Sequence, residues 1–121
     1  SYTFTSHDYD YVAYHSAAIR ACSEKGLMNP DAAATGNQII RKRLSTADYD
    51  SNELARTITK FEKRNFDSPA CRNATVAVIG WQKEINQQRE DRRETNEAIR
   101  AATPKQTYCN KIGTQVFCST Y

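Results

Sequence analysis

The segment YCNKIGTQVFC, residues 108–118, decides how two of the chain's four cysteines pair, and from it the rest of the fold can be built outward. Gly113-Thr114 reads as a two-residue turn. A type II′ turn needs a positive φ at its first central residue, which glycine adopts without cost. Counting outward, Ile112 faces Gln115, Lys111 faces Val116, Asn110 faces Phe117, and Cys109 faces Cys118. The pair nearest the turn is hydrogen-bonded, so alternation makes Cys109–Cys118 a non-hydrogen-bonded pair. Such pairs hold their Cα atoms about 4.5 Å apart, within disulfide reach. The other face carries Tyr108, Ile112, Phe117 and Tyr121, an apolar set expected to lie on the rest of the protein. Closing a ten-residue loop contributes about 2.5–3 kcal/mol in the chain-entropy account. An isolated two-stranded hairpin, marginal in water, needs that help.

The body reads as helices. Thr5 or Ser6 caps a first helix over residues 5–26, with Asp8 in its first turn and Gly26 as its stop. Tyr11, Val12, His15, Ala18, Ile19 and Cys22 recur on one face. Asn29-Pro30-Asp31 opens a second helix, 30–45, striped by Ala33, Ile40 and Leu44. Asp50 with Glu53 resembles a capping box and starts a third, 51–65, striped by Leu54, Ile58 and Phe61. Ser68 and Pro69 start a fourth, 69–102, which meets no strong stop before Pro104. This helix would run about 50 Å. Val78, Trp81 and Ile85 line its first half, but residues 86–97 contain no apolar side chain. The second half is therefore expected to bend away at Gly80, to project into solvent, or to pair with the hairpin or with a second copy in a homodimer. The predicted fold is mainly α: a four-helix up-down bundle with a long last helix and a stapled C-terminal hairpin over 107–120, all in one domain. In such a bundle the first helix ends where the fourth begins, which brings Cys22 to Cys71. That bond would close a loop of roughly 50 residues and contribute about 4 kcal/mol.

Composition narrows the class. The chain has 121 residues and a mean hydropathy of −0.77, so its core is thin. The longest apolar run, ATVAVIGW, is far below the roughly 20 residues that span a bilayer, so no transmembrane segment is expected. Four cysteines without a C-x-x-C pair argue for two disulfides over zinc, and so for an oxidising compartment with any signal peptide already removed. A net charge of +3 is too weak to argue for nucleic acid. Residues 41–43 (RKR) and 60–64 (KFEKR) could share one basic end of the molecule.

A search for chemistry returns no phosphate loop, dinucleotide motif, H-E-x-x-H or G-x-S-x-G. His15 lies on the inward stripe and reads as a packed residue; His7 reads as a surface one. Asn73-Ala74-Thr75 has the form of a glycosylation sequon. No catalytic, metal or cofactor-binding residue is assigned, and the chain is expected not to be an enzyme. Tyr2, Phe4, Tyr9, Tyr11 and Tyr14 crowd into fourteen residues, and one helical face cannot bury them all. Tyr2, Tyr9 and Tyr14 are the candidate partner-binding residues on aromatic grounds. Arg89, Arg92 and Arg93, on the part of the fourth helix that no core explains, are the candidates on charge.

The placing of Cys22 late in the first helix and Cys71 early in the fourth resembles the disulfide of helical secretion pilotins. The chain is also similar to periplasmic immunity proteins against cell-wall-degrading toxins, which are small, helical and disulfide-bonded. The tail TYCNKIGTQVFCSTY looks like the cysteine hairpins that close various small exported bacterial proteins. These resemblances imply a periplasmic or secreted protein that binds another protein of the bacterial envelope, as inhibitor or immunity protein, or alternatively as an assembly factor of a secretion or conjugation machine. A pilotin would also carry a lipid-bearing cysteine at its N-terminus, where this chain has Ser1.

Overall fold

A computed structural model describes residues 1–102 and 107–120. The chain is mainly helical: β1 (Tyr2–Thr3), α1 (Ser6–Glu24), α2 (Pro30–Ser45), β2 (Ala47–Asp48), α3 (Ser51–Glu62), α4 (Ser68–Ala102), β3 (Thr107–Ile112) and β4 (Gln115–Thr120). It divides into two compact units, Ser1–Ile85 and Asn86–Tyr121. Among the described residues no helix is long and apolar enough to cross a membrane.

Local chemistry sets the helix ends. Thr5 is the N-cap of α1, and Asp8 returns a bond to its backbone, a complete capping box. Asn29 caps α2 through the Asp31 amide, with Pro30 at the first helical position. The Asp50 carboxylate accepts from the amides of Asn52 and Glu53 to cap α3. α4 is capped by Asp67, not Ser68: the Asp67 side chain accepts from the Ala70 amide and its carbonyl from the Cys71 amide. Ser68 and Asp67 are both good caps, and the carboxylate one residue upstream also suits the positive end of the helix dipole. α1 stops short of Gly26, whose φ of +70° turns the chain out of the helix. α3 ends at Glu62 rather than residue 65.

In the first unit α1 is the central element. Val12, Ala13, Ala17, Ala18, Ile19 and Cys22 are all buried on it, a wider arc than one stripe. α2 runs antiparallel to it, with Arg43 bonded to Asp8 near one end and Gly36 against Ile19 towards the other. α3 runs parallel to it, with the Asp50 amide on Tyr9 and Phe61 on Tyr14. The first half of α4 is antiparallel: Trp81 reaches Tyr11, and Cys71 is disulfide-bonded to Cys22, both cysteines fully buried. Gly36 lets three helices meet closely. A Cβ there would stand 2.8 Å from Ile19 Cδ1 on α1 and 2.9 Å from Val78 Cγ2 on α4.

β1 pairs in parallel with β2, Tyr2 opposite Ala47 and Thr3 opposite Asp48, and the Phe4 amide donates to Asp48 O. The two basic runs do not share an end. Arg43 sits at the start of α1, whereas Lys25, just past its end, donates to Asn65 Oδ1 and Phe66 O beside the 60–64 run. α3 runs parallel to α1, so its C-terminus and the C-terminus of α2 lie at opposite ends.

α4 is one helix across Gly80. In the second unit, its residues from Asn86 to Ala102 are all exposed, as the absence of apolar side chains over 86–97 dictates. β3 and β4 pair antiparallel with Cys109 opposite Cys118 and Ile112 opposite Gln115. Gly113 has φ +63°, among the described residues only glycines have positive φ, and Cys109 is bonded to Cys118. This hairpin leaves Ile112 and Phe117 exposed, on a face expected to be covered, and Val116 exposed on the other. Pro104, Tyr121 and the side chain of Tyr108 lie outside the described residues.

Candidate functional site

The tyrosine-rich start does not form one surface. Tyr9 is buried, against Phe4 at 5.3 Å, and its hydroxyl accepts from the Asp50 amide at 2.8 Å. It is a core residue that joins α1 to α3, not the surface residue expected. Tyr14 is half-buried, edge-on to Phe61 and Phe66 at 5.6 Å each. Tyr2 is exposed, but its hydroxyl donates to Asp8 Oδ2 at 2.8 Å.

Asp8 gathers the start of the chain. Its buried carboxylate accepts from the Thr5 amide (2.8 Å), the Thr5 hydroxyl (2.9 Å), Tyr2 and Arg43 Nη2 (3.0 Å). The Thr5 amide above all, then the Tyr2 hydroxyl, holds the Asp8 carboxyl below the usual carboxylate range, because these donors favour the charged form. The same hydrogen bond raises the Tyr2 phenol. Every oxygen of this network is engaged, and it serves to seat the N-terminal segment on α1 and α2.

His15 is boxed by rings: Tyr11 at 4.6 Å, Trp81 at 5.0 Å and Tyr14 at 5.1 Å. Trp81 Nε1 donates to the Tyr11 hydroxyl at 2.8 Å, which closes one wall. Burial lowers the His15 pKa, and its Nδ1 has no hydrogen-bond partner among the described residues. A general base would need an orienting partner, and the contacts His15 makes are with rings. Among the described residues no three His, Cys, Asp or Glu side chains gather as a metal site would require.

The remaining candidates are surfaces. In the first unit Val76 and Ile79 of α4 are exposed, and Ile79 borders a shallow groove with Asp31, Ala32, Thr35 and Lys83. Arg64 lies over Phe61 at 4.9 Å and Tyr14 at 5.9 Å, so Tyr14 does border a surface, beside a cation 50 residues away along the chain. In the second unit Arg89, Arg92 and Arg93 line one depression of α4 with Asn96, Glu97 and Arg100. Arg93 is paired with Glu97, and Arg92 donates to Gln88 O. The hairpin offers Ile112 (67% exposed), Val116 (63%) and Phe117 (53%). Alternation in the sequence marks Ile112 and Phe117 as one apolar face, and their exposure makes them candidates for contact. The chain matches no protein-family model, no curated protein and no solved structure.

Proposed function

We propose that this chain is a non-enzymatic protein-binding protein of the bacterial periplasm or exterior, and most specifically an inhibitor or immunity protein for an envelope-acting toxin or hydrolase. The observation that carries this reading is the hairpin: a disulfide-closed ribbon that presents Ile112, Val116 and Phe117 to solvent. Large apolar side chains left outward on a small element mark a contact surface. The cross-link removes much of the ordering cost that a flexible ribbon would meet on binding. A narrow, pre-ordered apolar prong suits a concave target such as a hydrolase cleft. Two disulfides fit an oxidising compartment. The helical body reads as an up-down bundle that carries this prong, and Tyr2, Tyr14, Arg89, Arg92 and Arg93 are secondary contact candidates.

The alternative, an assembly factor of a secretion or conjugation machine, is favoured by one feature. The Cys22–Cys71 bond between the first and fourth helices is the point of resemblance to secretion pilotins.

The experiment is capture from envelope extract with the intact chain and with Ile112→Ser/Phe117→Ser, followed by assay of the captured protein's hydrolytic activity. The expected result is a hydrolase held by the intact chain, inhibited by it, and released by the double substitution. Capture of secretion-machine components without inhibition supports the alternative. Equal capture by both proteins removes the hairpin as the site. Light scattering on the same sample shows whether a second copy already covers the hairpin.

A further inference from the structure

Four cations of the first unit stand in one row. Arg56, Lys60, Lys63 and Arg64 follow one another on α3 and its C-terminal turn at steps of four, three and one residues. At 100° per residue they fall within an arc of about 100°, which Glu53 also shares one turn before Arg56; the buried Leu54 lies away from this arc and the buried Phe61 borders its Arg64 edge. All four are exposed. The row is about 12 Å long at 1.5 Å per residue.

Two properties bear on what the row can do. First, its charge is not offset by ion pairs. Three other cations do find carboxylates: Arg20 with Glu24 and Glu62, Arg43 with Asp8, Arg93 with Glu97. Among the described residues none of the four side chains makes an ion pair or hydrogen bond. Second, part of the row is in contact with aromatic rings. Arg64 lies over Phe61 and borders Tyr14, and Lys60 lies 5.5 Å from the Phe61 ring. A guanidinium drawn over aromatic rings can still grip a carboxylate with two bonds, and the ring contact lessens the side-chain entropy lost when it does.

We propose that this face of α3 docks an acidic segment of a partner protein, one that presents carboxylates about 6 Å apart along a line, as glutamates four residues apart on a helix do. The proposal rests on the reading of the chain as a protein-binding protein and adds a second contact of opposite character to the apolar hairpin. A protein partner fits better than nucleic acid or an anionic membrane. The whole chain carries only +3, so the long-range field that polyanions exploit is weak. What remains is local, with the spacing of a single helix.

The test uses a labelled peptide with glutamates at every fourth position in an alanine background, and a second peptide of the same composition with its glutamates in one block. Binding is read by fluorescence anisotropy in low salt, with the intact chain and two variants of equal net charge. One is Arg56→Gln/Lys60→Gln/Lys63→Gln/Arg64→Gln. The other is Arg41→Gln/Lys42→Gln/Arg72→Gln/Lys83→Gln. The spaced peptide is expected to bind the intact chain and the second variant alike, and the α3 variant about tenfold more weakly or worse. The block peptide is expected to bind less tightly than the spaced one. Arg64→Lys, which keeps the charge and loses the fork, is expected to weaken binding on its own. If the fourfold α3 variant does not fold, Lys60→Gln/Lys63→Gln is the reporter, with a smaller loss. Equal binding by the α3 variants and the intact chain overturns the proposal. So does equal affinity for both peptides, or tighter α3-dependent binding to phosphatidylglycerol vesicles or a single-stranded oligonucleotide. A partner captured from envelope extract while the spaced peptide is ignored sinks the docking face alone; a peptide that binds while no partner is captured sinks the broader reading alone.

Discussion

Gly36 and Gly80 are both helical glycines, and alanine should act on them with opposite sign. In a helix interior alanine is favoured over glycine by about 1 kcal/mol, through backbone entropy. At Gly80 nothing lies within 4 Å of the added Cβ, so the whole gain is realised and Gly80→Ala should stabilise by about 1 kcal/mol. At Gly36 the Cβ meets Ile19 Cδ1 at 2.8 Å and Val78 Cγ2 at 2.9 Å, on two different helices. Ile19 can swing its terminal methyl, but Val78 is β-branched, held to one rotamer in its helix and 1% exposed. α2 must therefore move off both neighbours, and overpacking of this kind costs about 1–3 kcal/mol. With the propensity gain subtracted, Gly36→Ala should destabilise by up to about 2 kcal/mol, with about 1 kcal/mol as the midpoint. Urea unfolding of the two variants, with m unchanged, measures both. In a Val78→Ala background the Gly36→Ala cost should shrink or vanish, and the double-mutant cycle gives the coupling directly. A Gly36→Ala protein as stable as the Gly80→Ala one would mean that α2 has slack against α1 and α4, and the account of the three-helix contact would be wrong.

Replacing Cys22 and Cys71 by alanine should cost about 4 kcal/mol by equilibrium unfolding, from a bridge with sequence separation 49 and both ends buried. Tyr9→Phe should cost about 1 kcal/mol by leaving the Asp50 amide without its acceptor, and Tyr9→Ala about 3–5 kcal/mol; a Tyr9→Ala protein with unchanged melting temperature would return this residue to the surface. Stability should fall in acid in two separable windows. The folded pKa of His15 is depressed, so its contribution is whole above the unfolded value near 6.5 and is lost as the pH falls through the lower folded value, a dependence that His15→Gln should flatten. Asp8 behaves alike below the usual carboxylate range near pH 4, and Asp8→Asn should remove that second slope.

What could be read from the sequence was what neighbours along the chain decide. Thr5, Asn29 and Asp50 cap the helices they precede because a cap needs only its own side chain and the next few amides. The hairpin register followed from one glycine, since strand alternation counts outward from the turn without outside help. Asp67 and Ser68 are adjacent cap residues, and local chemistry does not rank them. The burial of Tyr9 is not legible locally, because its hydroxyl partner lies 41 residues away and its ring partner Phe4 arrives by way of a two-residue strand too short to show periodicity. Gly36 carried no local signal, for its meaning is the space it leaves to Ile19 and Val78. The basic run at 60–64 was visible, but its stacking on Tyr14 depends on how α3 lies against α1.

Both disulfides join cysteines that follow one another along the chain, first to second and third to fourth. A chain that enters an oxidising space N-terminus first presents Cys22 and then, 49 residues later, Cys71, while Cys109 and Cys118 have yet to arrive. An oxidase that acts in order of arrival then seals the first pair before a third thiol can compete, and the last two cysteines meet with no other thiol free. Maturation on this schedule needs an electron acceptor but no isomerase. Refolding the fully reduced chain forfeits that order: four thiols are present at once, three pairings compete, and recovery of the native pair of bonds depends on thiol–disulfide exchange.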